Sequence, residues 1–287
     1  MRRRDLLTAL SLSLALMPLS ARAAITPAPF AALEARFGGR LGVAALDLGN
    51  GESIRYRASE PFPLCSTFKL SLAALALSRY GGEGLARRIV FSRQDLAAKD
   101  GQPSWSPVTE GRVGGDGMSL AELCAAAMQV SDNSAANLLL AELGGPQALT
   151  AFWRSLGDPV TRLDRIEPFL NDVPPGDIRD STTPEAMLHV LRRLLVGNAL
   201  AADQQGLLLD WMLQSKTGVR RLKAGLPSDW RIGDKTGSGE NGVTNDIAIL
   251  LPPERAPILV CAYYAGSQAA AADREAVLAE VGRIVSR

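Results

Sequence analysis

Ser66 and Lys69 stand one helical turn apart in PLCSTFKLSLAALAL, residues 63–77. From Phe68 onward Leu, Ala and Phe recur at helical spacing, so the hydroxyl and the ammonium share a face near the start of a helix that otherwise reads as buried. An ammonium in such a setting is costly unless it has partners or a task. The task that fits is activation of the serine as a nucleophile. Only five lysines, at 69, 99, 216, 223 and 235, occur among 31 basic residues, so the chain uses arginine wherever charge alone suffices. Arginine could not replace Lys69 as a base, because a guanidinium does not deprotonate in proteins.

The histidine count narrows the chemistry. The single histidine, His189, lies in TPEAMLHVLRRLL, which reads as an amphipathic helix with a Thr-Pro-Glu start and gives the ring a packing or surface role. A Ser-His-Asp triad and a His-rich zinc site have nothing to stand on. Cys65, Cys124 and Cys261 lack CxxC-type spacing, so neither a metal nor a cofactor is expected.

Three further groups follow Ser66 and Lys69 along the chain. VSDNSAANLLL supplies Ser131, Asp132 and Asn133 ahead of a helix, RIEPFLN supplies Glu167 and Asn171, and IGDKTGSGENG supplies Lys235, Thr236, Gly237 and Ser238 after the strand-like WRI. Taken singly they read as an N-cap, a solvated loop acid and a hairpin turn.

The elements that must carry these residues are legible in outline. PFAALEARFGG reads as a helix, and LGVAALDL and SIRYRA flank Gly49-Asn50-Gly51 as a hairpin. Helical patterns dominate from about Ser66 to Leu213, as in SLAELCAAAMQV and PEAMLHVLRRLL. Strand-like DWRIGD, VTNDIAILL and APILVCAYYAG come next, then the helix AADREAVLAEVGRIVS. Helix and strand runs segregate, so the fold class is α+β. An antiparallel sheet flanked by helices is expected from both chain ends, residues 24–62 and 214–287. An all-helical domain, residues 63–213, is expected between them.

With 287 residues, 47% of them hydrophobic and 21% charged, the chain is globular and large enough for one big domain or two intimate ones. Residues 1–23 read as a secretory signal: a basic MRRRDLL, an apolar LLTALSLSLALMPL and the small-residue site ARA, with cleavage after Ala23. Arg3-Arg4 followed by Asp5, Leu6 and Leu7 resembles a twin-arginine signal, and a bacterial periplasm is the expected destination. Removing this stretch takes four arginines and one aspartate from 31 basic and 30 acidic residues. The remaining net charge of about −2 argues against a nucleic-acid partner. No second apolar run reaches membrane length, so no membrane association is expected after cleavage. An odd number of cysteines in an oxidising compartment implies at least one free thiol.

STFK, SDN, RIEPFLN and KTG in this order, together with WSPVTEG and TNDIAILLPP, resemble the class A serine β-lactamases over residues 27–287. The resemblance implies hydrolysis of the β-lactam amide bond of penicillins and cephalosporins through a serine acyl-enzyme. The site would lie in a cleft between the two domains of a monomer. Ser66 would attack the carbonyl, the backbone N–H groups of Ser66 and Ser238 would stabilise the oxyanion, and Lys69 or Glu167 would take the serine proton. Ser131, helped by the charge of Lys235, would pass a proton to the leaving nitrogen. Asn133 would hold the substrate's side-chain amide, Glu167 and Asn171 would position the deacylating water, and Trp105 would stack on substrate at the cleft edge. The substrate carboxylate would meet Lys235, Thr236 and Ser238 along the strand through Gly237. Arg221 would replace an arginine usual at the position of Thr244, with Arg274 a weaker rival and Arg220 a surface charge. An Arg165–Asp180 ion pair should close the loop around Glu167, and the Glu167-Pro168 bond should be cis. The family's cysteine partners fall on Gly239 and Ala73, so no disulfide is expected. The alternative is a penicillin-binding D-alanyl-D-alanine carboxypeptidase or a β-lactam sensor. The carboxypeptidase has no use for the fast deacylating water that Glu167 and Asn171 provide for, and a sensor would be expected to sit on a membrane-spanning segment.

Overall fold

The computed structural model describes residues 27–287. The stretch read as a secretion signal, residues 1–23, lies outside the described residues. Strands β1 (Arg40–Asp47) and β2 (Ser53–Tyr56) come from one chain end. Strands β3 (Arg231–Ser238), β4 (Thr244–Leu251) and β5 (Ile258–Ala265) come from the other. They form a single antiparallel sheet in the order β2-β1-β5-β4-β3.

The central strand explains the layering. Its sequence, ILVCAYYA, is buried from Ile258 to Tyr264 because both faces are covered. With a side-chain period of two, Val260, Ala262 and Tyr264 face one core, while Leu259, Cys261 and Tyr263 face the other. The first core is closed by helices α1 (Ala28–Phe37) and α8 (Ala271–Val285), through Phe30, Val277, Leu278 and Val281.

The second core is larger and continues into the helical region. It gathers α2 (Phe68–Gly84), α3 (Leu120–Gln129), α4 (Asn133–Leu143), α5 (Gly145–Ser155), α6 (Pro184–Leu195) and α7 (Ala202–Leu213). Every residue from Phe68 to Leu77 is buried, so the first ten residues of α2 are enclosed on all sides, and the helix reaches the surface from Ser78. Local signals set the other boundaries. Ser119 and Glu122 form a capping box at the start of α3, Asp132 caps α4, and Gly144, at φ 96°, ends α4 in the left-handed region.

The stretch read as predominantly helical also holds short strand pairs. Arg88–Ile89 pairs with Met118–Ser119, Ala98–Lys99 with Gln102–Pro103, and Phe62–Pro63 with Ser181–Thr182. Two residues are too few to show a period, so these pairs depend on tertiary neighbours and not on patterning.

Candidate active site

Ser66 lies on a 3-10 turn, Cys65–Thr67, that leads into α2. This turn packs against β3 at Gly237, where an added Cβ would stand 2.8 Å from the Leu64 carbonyl oxygen, so the close approach requires glycine. Cys65, at φ 43°, and Ser131, at φ 59°, adopt left-handed conformations that cost a non-glycine residue energy. Ser131 is the hinge between α3 and α4. The Asp132 carboxylate accepts from the backbone N–H groups of Val108, Thr109 and Ala135 and from the Thr109 hydroxyl. One buried side chain thus caps α4 and anchors the segment beside Trp105.

These elements bring the sequence-derived residues together. Ser66 Oγ donates to Glu167 Oε1 at 3.1 Å, and Lys69 Nζ lies 2.9 Å from the same oxygen. Lys69 also donates to the Ser131 carbonyl at 2.9 Å and to Asn133 Oδ1 at 2.6 Å. Asn171 Nδ2 donates to Glu167 Oε2 at 2.6 Å, so both carboxylate oxygens are engaged. The Ser131 hydroxyl stands between two ammoniums, 3.4 Å from Lys69 Nζ and 3.0 Å from Lys235 Nζ. Lys235 is fully buried, and that burial, reinforced by the charge of Lys69, pushes its pKa well below the ordinary lysine value.

The loop over residues 163–180 presents Glu167. Asn137 brackets that residue's backbone, accepting from its N–H at 3.0 Å and donating to its carbonyl at 2.8 Å. The Glu167-Pro168 bond is cis. Arg165 Nε donates to Asp180 at 2.6 Å, and the Asp180 carboxylate also accepts the N–H groups of Asp164 and Arg165. Further along the loop, Arg179 holds the Asp177 carboxyl down at about 2.

The cleft encloses about 250 Å³ and is lined by Ser66, Trp105, Ser131, Asn133, Asn171, Thr217, Arg221, Thr236 and Ser238. Trp105 is 63% exposed at the rim, with its indole N–H on the Val130 carbonyl at 2.8 Å. Thr217 and Thr236 share a hydroxyl hydrogen bond at 2.7 Å. Arg221 is only 7% exposed; it donates to the carbonyls of Gly237 and Asn245 and, at 2.7 Å, to Ser238 Oγ. Burial lowers its pKa from the ordinary arginine value. Arg220 is 79% exposed and pairs with Glu275 outside the cleft. Arg274 donates to the Thr244 hydroxyl and the Ala269 carbonyl and does not line the cleft.

Other residues fall elsewhere. His189 is within 2.9 Å of the Leu156 carbonyl, in a packing role away from Ser66. Cys65, Cys124 and Cys261 are buried and unpaired, and a Cβ on Gly239 would stand 2.6 Å from Cys65 Sγ. Among the described residues no group of three or more His, Cys, Asp or Glu side chains is placed to hold a metal. Motif reading missed Asn137 and Ser104, whose hydroxyl accepts from Asn133 Nδ2 at 2.6 Å. Asn137 was findable: it stands four residues after Asn133 on α4, one turn along the same face.

A buried nucleophile in contact with a carboxylate, a hydroxyl between two ammoniums and a cationic far wall are the parts that acyl transfer requires. Comparison with known proteins agrees. The β-lactamase enzyme family matches residues 28–287. The chain is 45% identical to "Beta-lactamase CTX-M-8" of Citrobacter amalonaticus over 96% of this chain and 94% of that protein. It is 45% identical to "Carbapenem-hydrolyzing beta-lactamase KPC" of Klebsiella oxytoca over 99% and 95%. Among solved structures, "Ancestral (GNCA) Beta-lactamase class A" superposes with a TM-score of 0.86 at 57% identity, covering 90% of this chain and 98% of that one.

Proposed function

The chain belongs to the class A serine β-lactamases, and on that premise we propose that Ser66 opens the lactam ring of penicillins and cephalosporins with Glu167 as its base. One observation carries the choice of base. Ser66 Oγ donates to Glu167 Oε1 at 3.1 Å, whereas the contacts of Lys69 Nζ go to Glu167, Ser131 and Asn133. Attack by Ser66 Oγ on the carbonyl carbon forms the ester as the ring C–N bond breaks. As the departing nitrogen takes the Ser131 hydroxyl proton, Lys69 gives a proton to Ser131 Oγ and recovers one from Glu167. Lys235, 3.0 Å from Ser131 Oγ, favours that transfer electrostatically.

This relay restores the Glu167 carboxylate. With Asn171 it then takes a proton from water, which attacks the ester carbonyl, and Glu167 returns that proton to Ser66 Oγ as the C–O bond to the serine breaks. Asn133 receives the substrate's side-chain amide and Trp105 stacks at the rim. Lys235, Thr236 and Ser238 take its carboxylate, with Arg221 behind Ser238. Two units, residues 24–62 with 214–287 and residues 63–213, flank this site. The MRRRDLL start and apolar run support export to the periplasm with loss of residues 1–23, and the working form is a monomer. Among the described residues no helix is long and apolar enough to cross a membrane.

The test is the fate of the acyl-enzyme. With a chromogenic cephalosporin the wild type should deacylate within seconds. A lifetime of hours would instead indicate a peptidase or sensor. Intact-protein mass spectrometry with a slow β-lactam should place the adduct on Ser66, and Ser66→Ala should abolish both label and turnover while keeping the fold. Glu167→Ala should slow acylation and all but stop deacylation, so that adduct still builds up on long incubation; unchanged turnover in that variant would reduce Glu167 to a loop acid.

A further inference from the structure

The short hairpin pairing Ala98–Lys99 with Gln102–Pro103 turns through Asp100 and Gly101, both at positive φ. It runs directly into Ser104, which holds Asn133, and Trp105, which lines the cleft. From this hairpin Lys99 Nζ donates to Asp172 Oδ1 at 2.5 Å and stands 3.7 Å from Glu240 Oε1. Asp172 follows Asn171 at the end of the loop that carries Glu167. Glu240 lies just beyond Ser238 in the turn between β3 and β4, and its backbone N–H donates to the Asn171 carbonyl. Three separate segments of the rim therefore meet at one ammonium, in a chain that reserves lysine for five positions.

We propose that Lys99 is a specificity-determining residue: its ammonium straps Asp172 to Glu240 across the rim and limits the bulk of the acyl side chain that a β-lactam can carry. This rests on the reading above that Asn133 and Asn171 receive the side-chain amide. On that reading the substituent beyond the amide leaves the cleft over its Asn171 and Ser238 side, next to Asp172 and Glu240. The Lys99–Asp172 pair favours the charged form of both partners, raising the lysine pKa and lowering that of the carboxyl. Without the ammonium, two neighbouring carboxylates from different segments repel each other, and the rim there rests on the Glu240 N–H to the Asn171 carbonyl and Asn241 Nδ2 to the Val173 carbonyl. The strap also yields under load. Lys99, Asp172 and Glu240 are 36%, 32% and 61% exposed, and ion pairs at such exposure are weak and screened by salt. A slender arylacetamido group passes beneath it, whereas a branched oxyimino group must break it.

The experiment compares kcat/KM for an arylacetamido and an oxyimino cephalosporin in wild type, Lys99→Met and Lys99→Arg. Lys99→Met should raise the oxyimino value by roughly three- to fivefold, the range open to an exposed ion pair, and change the arylacetamido value less than about twofold. Lys99→Arg should behave as wild type. Salt at about 0.5 M should move the wild type towards Lys99→Met on the oxyimino substrate and leave Lys99→Met itself unmoved. Equal factors on both substrates, or no salt-dependent change in their ratio, would overturn the strap while leaving the hydrolase reading intact. Absence of wild-type turnover on the arylacetamido substrate would overturn that reading and the strap with it.

Discussion

At Arg221 a guanidinium is taken almost entirely out of water; its Nη1 and Nη2 groups meet two carbonyls and a hydroxyl, while Nε is buried without a hydrogen-bond partner. Its Nε also lies 3.7 Å from Glu275. The side chain therefore does two things: it brings positive charge to the wall beside Ser238, and it joins β3 to the start of β4. A surface charge in this role would leave the melting temperature alone, but this one should not. Arg221→Ala should lower kcat/KM about 10- to 100-fold, in keeping with a charge-assisted hydrogen bond of roughly 1.5–3 kcal/mol. Most of the loss should appear in KM. The melting temperature should fall as well, because the carbonyls of Gly237 and Asn245 lose a donor. Arg220→Ala should be close to silent. Steady-state kinetics and thermal unfolding check both, and unchanged kinetics for Arg221→Ala would place the carboxylate anchor elsewhere. Residue type made much of this legible, since Ser66, Lys69, Ser131, Glu167 and Lys235 each carry chemistry that their neighbours in sequence advertise. Ser104 does not, and Asn137 does so only through its four-residue spacing from Asn133. They act through backbone and amide contacts that any polar residue at the right point in space could make.

Among the elements, the loop over residues 163–180 has the least secondary structure and the most demanding placement. It contains one 3-10 turn, Phe169–Asn171, and it must hold Glu167 within hydrogen-bonding distance of Ser66. Asn137 fixes one point and Asp180 the other. The Asp180 carboxylate receives three donors and is almost fully buried. Asp180→Asn turns one acceptor oxygen into a donor facing donors and removes the counter-charge of Arg165. A loss of about 2–3 kcal/mol is expected, or a melting temperature lower by about 5–10 °C for a chain of this size. Deacylation should suffer more than acylation, because in deacylation Glu167 must hold a water as well as take its proton, whereas Ser66 is already held in place by the chain. Pre-steady-state acylation and deacylation rates check this, and an equal slowing of both would show that the loop positions Glu167 for neither step in particular. Regular elements were readable because periodicity reports them, as with α2, α6 and β5. This loop and the two-residue strand pairs have no period, and only their fixed partners elsewhere in the chain determine their course.

For the whole molecule, the question is whether the helical region and the sheet unfold as one. The proposed division into two units follows the chain, but the packing does not respect it. Cys124 on α3 and Cys261 on β5 belong to one continuous core that runs from the helices to the inner face of the sheet. Burial raises the pKa of both thiols, and with it their resistance to modification in the native state. They are therefore paired reporters, one in each region, that react only when their surroundings open. A core shared across the boundary predicts a single cooperative transition. In increasing denaturant, Cys124 and Cys261 should become reactive to a thiol reagent at the same midpoint, coincident with loss of helical circular dichroism. Fully denatured, unreduced protein should titrate three thiols, as three unpaired cysteines require. Mass-spectrometric mapping of the modified peptides resolves the two sites. Reaction of Cys124 at a distinctly lower denaturant concentration than Cys261 would show that the helical region opens while the sheet stands, and a count of one thiol would mean that two of the three had formed a disulfide.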